Sequence, residues 1–217
     1  MYILRLESLV GPGQRTNFEA WHTQLYALAS KQPGFLRSTL LNSLAYPTKY
    51  TRGTLWENRE ALLAFWATKE LQAFAKAHPA EGIATPGAPM RAYEDVEMVR
   101  ETDQYQYLGV VDVTIAQGQA SAYEESRMAF LQLVRREGRG VALTGLVRLA
   151  GGGNQYMLLV GCRTQADATA TVAMPAIVDF QQKHPLSDFG GTLTQEGYAI
   201  VQVAVGAQAA ARQSARS

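Results

Sequence analysis

The sequence predicts an α+β fold in which one order of elements, β-α-β-β-α-β, occurs twice along a single chain. The first supporting observation is a repeated motif: "LQAFAKAHP" (71–79) recurs further along the chain as "IVDFQQKHP" (177–185). Phe, His and Pro each recur 106 residues later (180−74). The second is that both halves offer strand-like and helix-like segments in the same order. One such sheet, with helices on one face, leaves its other face bare, and two copies can bury those faces against each other.

Each half begins with a predicted strand and a predicted helix. The strands "YILRLES" (2–8) and "YLGVVDVTI" (107–115) are rich in apolar and β-branched residues. The helices are indicated by apolar residues at intervals of three and four, which form one stripe. These residues are Phe18, Trp21, Leu25, Leu28 and Ala29 in the first half, and Tyr123, Met128, Phe130, Leu131 and Val134 in the second.

Two strands, a second helical region and a last strand complete each half. In the first half they are "FLRSTLLNS" (35–43), "KYTRGTLWE" (49–57), the helical run 58–79 and "MRAYEDVEMV" (90–99). In the second they are "VALTGLVRL" (141–149), "YMLLVGC" (156–162), the helical run 164–185 and "LTQEGYAIVQVAV" (193–205). Pro175 is expected to break that last helical run or to start a fresh helix.

This pattern predicts two ferredoxin-like domains, residues 1–106 and 107–205, the second degenerate, followed by a disordered tail at 206–217. The short link near Thr102 favours one compact pseudo-dimer, either monomeric or a homodimer of such chains.

Composition limits the class of protein and its partners. The 217 residues are 47% hydrophobic and 18% charged, as in folded proteins, and the net charge is +1 with no basic run. Nucleic acid and anionic membranes are therefore not expected as partners. The N-terminal apolar run carries Arg5 and Glu7, which favours neither a signal peptide nor a membrane span, so a cytoplasmic protein is expected. The lone cysteine, Cys162, excludes an internal disulfide and a thiolate-rich zinc site.

Two stretches of the first half, "FEAWHTQLYALASKQPGFLRSTLL" (18–41) and "YTRGTLWENREALLAFWATKELQAF" (50–74), resemble the antibiotic biosynthesis monooxygenase family of dimeric α+β barrels. The second half keeps the element order and the FxxxHP motif but has lost "QPGF" and "WEN". The resemblance implies a dimeric α+β barrel built within one chain.

The resemblance also implies a cofactor-independent monooxygenase that acts on a small aromatic or quinone-type molecule in a cavity of the first domain. Two alternatives stay open, because members of this fold differ in activity. One is a non-catalytic, small-molecule-binding or stress-related pseudo-dimer, and the other is a haem-binding or haem-degrading protein. No metal site is expected from three scattered histidines.

The same resemblance suggests site residues, each of which also has a structural explanation. Trp66 matches a tryptophan that faces the cavity in members oxidising polyketides or haem, but it also fits a core stripe. Asn58 matches a polar residue that orients oxygen, but it also suits a helix N-cap. Arg91 could stabilise an enolate or phenolate, although arginines at strand ends are usually solvated.

Histidines and a tyrosine supply the remaining candidates. His78 could act as a general base or as a haem ligand, but with Pro79 it could simply end a helix. Because FxxxHP persists in the half that has lost the tryptophan, the structural explanation is favoured for His184 and is the stronger one for His78. His22 is a second candidate base that borders the cavity, and Tyr26 is expected to pack against the substrate.

Overall fold

The α+β fold predicted from the sequence is confirmed in the computed structural model, which describes residues 1–102 and 104–207. The first half contains β1 (Tyr2–Val10), α1 (Arg15–Ala29), β2 (Phe35–Ser43), β3 (Lys49–Trp56), α2 (Arg59–Trp66), α3 (Lys69–Ala77) and β4 (Ala84–Arg100). The second half contains β5 (Tyr107–Thr114), α4 (Ala120–Glu137), β6 (Val141–Leu149), β7 (Gln155–Cys162), α5 (Gln165–Val172), α6 (Pro175–Lys183), a short 3-10 helix (Leu186–Phe189) and β8 (Thr192–Val205).

The second helical region of each half consists of two helices. Pro175 occupies the start of α6, so the fresh helix expected there is present. In the first half the break falls between α2 and α3, where the Thr68 hydroxyl accepts a hydrogen bond from the Leu71 amide (3.3 Å). A capping threonine thus starts the new helix without a proline.

The strands are hydrogen-bonded in the order β1-β3-β2-β8-β5-β7-β6-β4, which closes as a barrel. The chain divides into two compact units: Met1–Ala92 together with the described residues from Ile200 onward, and Tyr93–Ala199. The long strands β4 and β8 each begin in one unit and end in the other. The domain boundaries and the oligomeric state given above stay predictions, and residues 208–217 of the tail lie outside the described residues. Within the described part of the tail, the Gly206 and Ala207 amides donate to the Leu36 and Ser30 carbonyls.

In the first unit, β3 lies between β1 and β2, and both pairings are antiparallel. The side chains at alternate positions of β3 face the helices. One core forms around Trp56, which packs with Leu4, Leu25, Phe35 and Phe65 among others. A second core forms around Tyr50, with Phe18, Tyr26 and Leu40.

The second unit repeats this arrangement with β7 between β5 and β6. Its core contains Tyr123, Leu131, Leu146 and Ile177. The equivalent strand pairs are Tyr2 with Trp56 in the first half and Tyr107 with Cys162 in the second. The first strand and helix of the second half therefore lie 105 residues after those of the first half (107−2). The later elements lie 106 residues after their counterparts (162−56). The second half therefore has one extra residue between α4 and β6.

Candidate functional site

A buried polar cluster lies between α1 and β3 of the first unit. It consists of His22, Tyr26 and Arg52, and we call it the polar cluster. The four-residue spacing places His22 and Tyr26 on one face of α1, with their ring centroids 5.5 Å apart. They are only 3% and 4% exposed. Arg52 lies two residues from Tyr50 on β3 and therefore shares its helix-facing side.

Burial determines the charge of the polar cluster. It lowers the pKa of His22 to about 2, and the positive charge of Arg52 acts in the same direction. It raises the pKa of Tyr26 to about 12, although the positive charge of Arg52 opposes this shift. Both rings are therefore neutral at neutral pH. Burial also lowers the pKa of the Arg52 guanidinium, but this group is the single cation of the polar cluster.

Several polar atoms of the polar cluster have no hydrogen-bond partner among the described residues. They are both ring nitrogens of His22, the hydroxyl of Tyr26 and the Nε of Arg52. The carboxylate of Glu19 on α1 accepts hydrogen bonds from Tyr50 (2.8 Å) and Arg15 (2.9 Å). A buried donor without a partner costs about 1–3 kcal/mol. An oxygen anion is the kind of group that would satisfy these donors and balance the charge.

The polar cluster is not a requirement of the fold, because the second unit lacks it. The positions equivalent to Tyr26 and Arg52 are Leu131 and Leu158, which belong to an apolar core. Arg127 takes the place of His22, and its guanidinium donates to the His184 carbonyl at 2.7 Å. Arg52 was not predicted from the sequence, in which the one available signal was a charged residue amid apolar and β-branched positions of a strand.

Three candidates from the sequence lie at the protein surface, apart from the polar cluster. Asn58 is exposed and caps α2, since its Oδ1 accepts a hydrogen bond from the Ala61 amide (2.8 Å). Trp66 is the last residue of α2 and is 38% exposed. Arg91 is exposed on β4. Their functional roles stay predictions, whereas His22 and Tyr26 are brought together by the fold.

The two FxxxHP copies have the same local structure. His78 and His184 are the C-cap residues of α3 and α6, and their amides donate to the Phe74 and Phe180 carbonyls at 2.8 and 2.9 Å. Each imidazole packs on that phenylalanine, with ring centroids 4.9 and 4.5 Å apart.

The carbonyl of each capping histidine is also held from the first helix of its own half. Trp21 Nε1 donates to the His78 carbonyl (2.8 Å), just as Arg127 does to that of His184. Both histidines thus anchor a helix end to α1 or α4.

A cavity of about 390 Å³ lies within the second unit, between the sheet and helices α4, α5 and α6. We call it the second-unit cavity. Two of its lining residues, Ala168 and Thr171, are smaller than their counterparts in the first unit. Those counterparts are Leu62 and Phe65, which pack with Trp56.

One wall of the second-unit cavity is formed by Tyr107. Its ring lies over Gly109 and Gly197, which face each other across β5 and β8. A Cβ atom at Gly197 would stand 2.7 Å from the Tyr107 hydroxyl, so only glycine allows the ring to lie there. This cavity was not predicted from the sequence, although the smaller side chains of the second repeat were a signal that pointed to it.

Metal-binding and membrane-spanning features are not found in the part of the chain that the structure describes. Over residues 1–102 and 104–207, no three His, Cys, Asp or Glu residues are grouped as a metal site would require. No helix in the same ranges is long and apolar enough to cross a membrane.

The architecture defines the class of protein first: an α+β barrel protein with two ferredoxin-like halves in one chain. Residues 1–77 match the model of the antibiotic biosynthesis monooxygenase family, which confirms the resemblance seen in the first half. No curated protein matches the sequence.

Solved structures share the fold across nearly the whole chain. A candidate monooxygenase from Fusobacterium nucleatum subsp. nucleatum has a TM-score of 0.77 at 10% identity, with 94% of each chain covered. A candidate monooxygenase from Lactobacillus acidophilus has a TM-score of 0.72 at 10% identity, covering 94% of this chain and 96% of the other. An anthrone oxidase-like protein has a TM-score of 0.66 at 14% identity, covering 96% and 94%.

Proposed function

We propose that the chain is a cofactor-independent monooxygenase that oxidises a small aromatic or quinone-type molecule, with the reacting anion held by the polar cluster. The observation that carries this proposal is the partly buried cation of Arg52, whose Nε is fully enclosed, beside two neutral rings that can form hydrogen bonds. The polar cluster lies within residues 1–77, the part that matches the monooxygenase family model. The similarity to an anthrone oxidase-like protein agrees with an aromatic substrate.

Oxygenation without a cofactor requires a substrate anion that gives an electron to dioxygen. The resulting radicals combine at carbon, and the peroxide then loses water, so that a CH₂ group and O₂ become a carbonyl group and H₂O. The protein must bind the anion, orient it and exclude bulk water. In this chain Arg52 would stabilise the anionic oxygen, and the protonated Tyr26 would donate a second hydrogen bond.

The environment of His22 favours a hydrogen-bonding role over that of a base. Burial keeps the imidazole neutral, because it lowers the pKa to about 2. An anion next to Arg52 would offset the repulsion between that cation and a protonated His22, so substrate binding is expected to raise this pKa. The rings of Phe18 and Trp21 lie 4.4 and 4.8 Å from the imidazole, so access requires these side chains or α1 to move.

The test is oxygen consumption with a panel of substituted hydroquinones and anthrones. Wild-type protein is expected to consume oxygen with at least one of them. Arg52→Met should lower kcat/KM by about 100-fold or more, the scale of removing one stabilising donor, while Arg52→Lys should keep part of the activity. Arg91→Met is the matched control, because it removes an exposed arginine of the same unit.

Two outcomes would overturn the proposal. One is the absence of oxygen consumption with every compound, and the other is an active Arg52→Met variant. A loss of activity in Arg91→Met alone would instead assign the anion-binding role to Arg91, the candidate predicted from the sequence.

Haem does not fit the described sites. The lining of the second-unit cavity contains no histidine, cysteine or methionine. The two nitrogens of His22 are buried among aromatic rings and present no free face to a macrocycle. His78 is used at the end of α3, where its ring lies on Phe74. The geometry therefore favours a protein without a cofactor.

A non-catalytic, ligand-binding protein is the second candidate function, and the second-unit cavity favours it. The lining of this cavity contains no charged side chain, so it offers space for a ligand but no acid, base or cation. If no oxygen is consumed while a ligand binds there, the binding function is the one to retain.

A further inference from the structure

We propose that the second-unit cavity is a separate binding site for a neutral, planar, mainly apolar ring compound that carries one hydrogen-bonding oxygen. The residues that line it come from the half that lies outside the family-model match. The site therefore has its own selectivity, distinct from that of the polar cluster.

The size and walls of the second-unit cavity define the bulk of the ligand. Its volume of about 390 Å³ falls in the lower part of the ~300–1000 Å³ range of small-molecule sites. The sheet contributes Val111, Leu158 and Val160, and the helices contribute Phe130 and Ile177. A flat ring system placed between sheet and helices would bury both of its faces against these side chains.

The polar groups define where the oxygen of the ligand would lie. Tyr107 lines the cavity, and its ring and hydroxyl lie over the Gly109–Gly197 pair. Burial raises the pKa of Tyr107, so its hydroxyl stays protonated and can donate. The polar side of the cavity, which faces solvent, is formed by three exposed residues: Thr169, Gln181 and Gln195.

Because the cavity lining carries no charge, charged ligands are expected to bind weakly. The described residues that line the cavity include no Lys, Arg, His, Asp or Glu. A charged group brought into the apolar part would lose its hydration without gaining a partner of opposite charge. Carboxylates and ammonium compounds are therefore expected to bind much more weakly than neutral compounds of the same shape.

The internal repeat provides the variants that test this proposal. Ala168 corresponds to Leu62, so Ala168→Leu reproduces the filling that the first unit already uses at this position. Ala166→Leu is the matched control, because it makes the same chemical change on the exposed side of α5. Val172→Trp is a second blocking variant. Val172 is 53% exposed at the edge of the cavity, so this change should not disturb folding.

The probe is 2-naphthol, followed by calorimetry and by its own fluorescence, with naphthalene and 2-naphthoate as comparisons. Wild-type protein and Ala166→Leu are expected to bind 2-naphthol equally, while Ala168→Leu and Val172→Trp should each weaken binding at least tenfold. The 2-naphthoate anion should bind at least tenfold more weakly than 2-naphthol. Tyr107→Phe should reduce the preference for 2-naphthol over naphthalene.

The result that would overturn the proposal is equal binding of 2-naphthol by wild-type protein and both blocking variants, or equal binding of 2-naphthol and 2-naphthoate. Arg52→Met separates this site from the oxygenase proposal. It should leave 2-naphthol binding unchanged, whatever its effect on oxygen consumption. Loss of binding in Arg52→Met would place the ligand at the polar cluster instead and refute the second site.

Discussion

Acidification is expected to destabilise the first unit through His22. In the folded protein burial lowers the His22 pKa to about 2, whereas the unfolded chain has the ordinary value of 6.5. Below pH 6.5 the unfolded state binds a proton that the folded state excludes, so the free energy of unfolding falls as the pH falls. The slope approaches about 1.4 kcal/mol per pH unit well below the unfolded pKa. Between about pH 7.5 and about pH 5.5 the His22 contribution amounts to about 1.4 kcal/mol.

The variant that isolates this contribution is His22→Phe. A phenyl ring suits a position between Phe18, Trp21 and Tyr26, and it carries no titrating group. The loss of stability between the two pH values should be about 1.4 kcal/mol smaller in this variant than in wild type. The carboxylates and the other histidines are common to both proteins and therefore cancel in the difference.

Tryptophan fluorescence during urea unfolding is the suitable assay. All three tryptophans, Trp21, Trp56 and Trp66, lie in the first unit, so the signal follows the unit that contains His22. If wild type and His22→Phe lose the same stability on acidification, His22 is not buried as a neutral ring. The electrostatic description of the polar cluster would then be wrong.

Two further substitutions separate structural from functional roles. Asn58→Ala should destabilise the protein by about 1 kcal/mol through loss of the α2 cap, and Asn58→Ser should restore most of it. Both Asn58 variants should leave oxygen consumption per folded molecule unchanged. Circular dichroism melts measure the stability, and the oxygen assay measures the turnover. A large loss of turnover in Asn58→Ser would support a role of Asn58 in orienting oxygen. Trp56→Ala should cost about 3–5 kcal/mol because the ring is fully buried against Phe35 and Phe65, whereas Trp66→Ala should cost far less. Urea unfolding followed by circular dichroism measures both, and similar costs would contradict the packing described here.

The repeated FxxxHP motif illustrates how far local sequence can lead. Its spacing predicted the duplication, and its persistence favoured a helix-ending role for the histidines. The structure places both as C-caps with the same backbone hydrogen bond. The partners that hold their carbonyls, Trp21 and Arg127, could not be predicted. They lie 57 residues away in sequence, and one is an aromatic ring while the other is a guanidinium.

The candidate functional site was predicted from the sequence less completely than the repeat was. His22 was a candidate from sequence because it follows Trp21 at the edge of the apolar stripe of α1, and Tyr26 was expected to pack against the substrate. Arg52 was missed, since an arginine on a strand is usually solvated, and only the packing of α1 over β3 shows that its Nε is buried. Trp66 was favoured by family resemblance, yet it lies at the surface, while Trp56 fills the core.

The sequence by itself determined the order of elements and their duplication, because hydrophobic periodicity and turn residues act over short distances along the chain. It also indicated the family of the first half, through two stretches that span most of that half. Only the tertiary structure decided where a cation is buried and where a cavity remains. Both depend on side chains from several elements meeting in space: Ala168 and Thr171 line the cavity where the first unit has Leu62 and Phe65, and the room remains because the surrounding strands and helices keep the same arrangement.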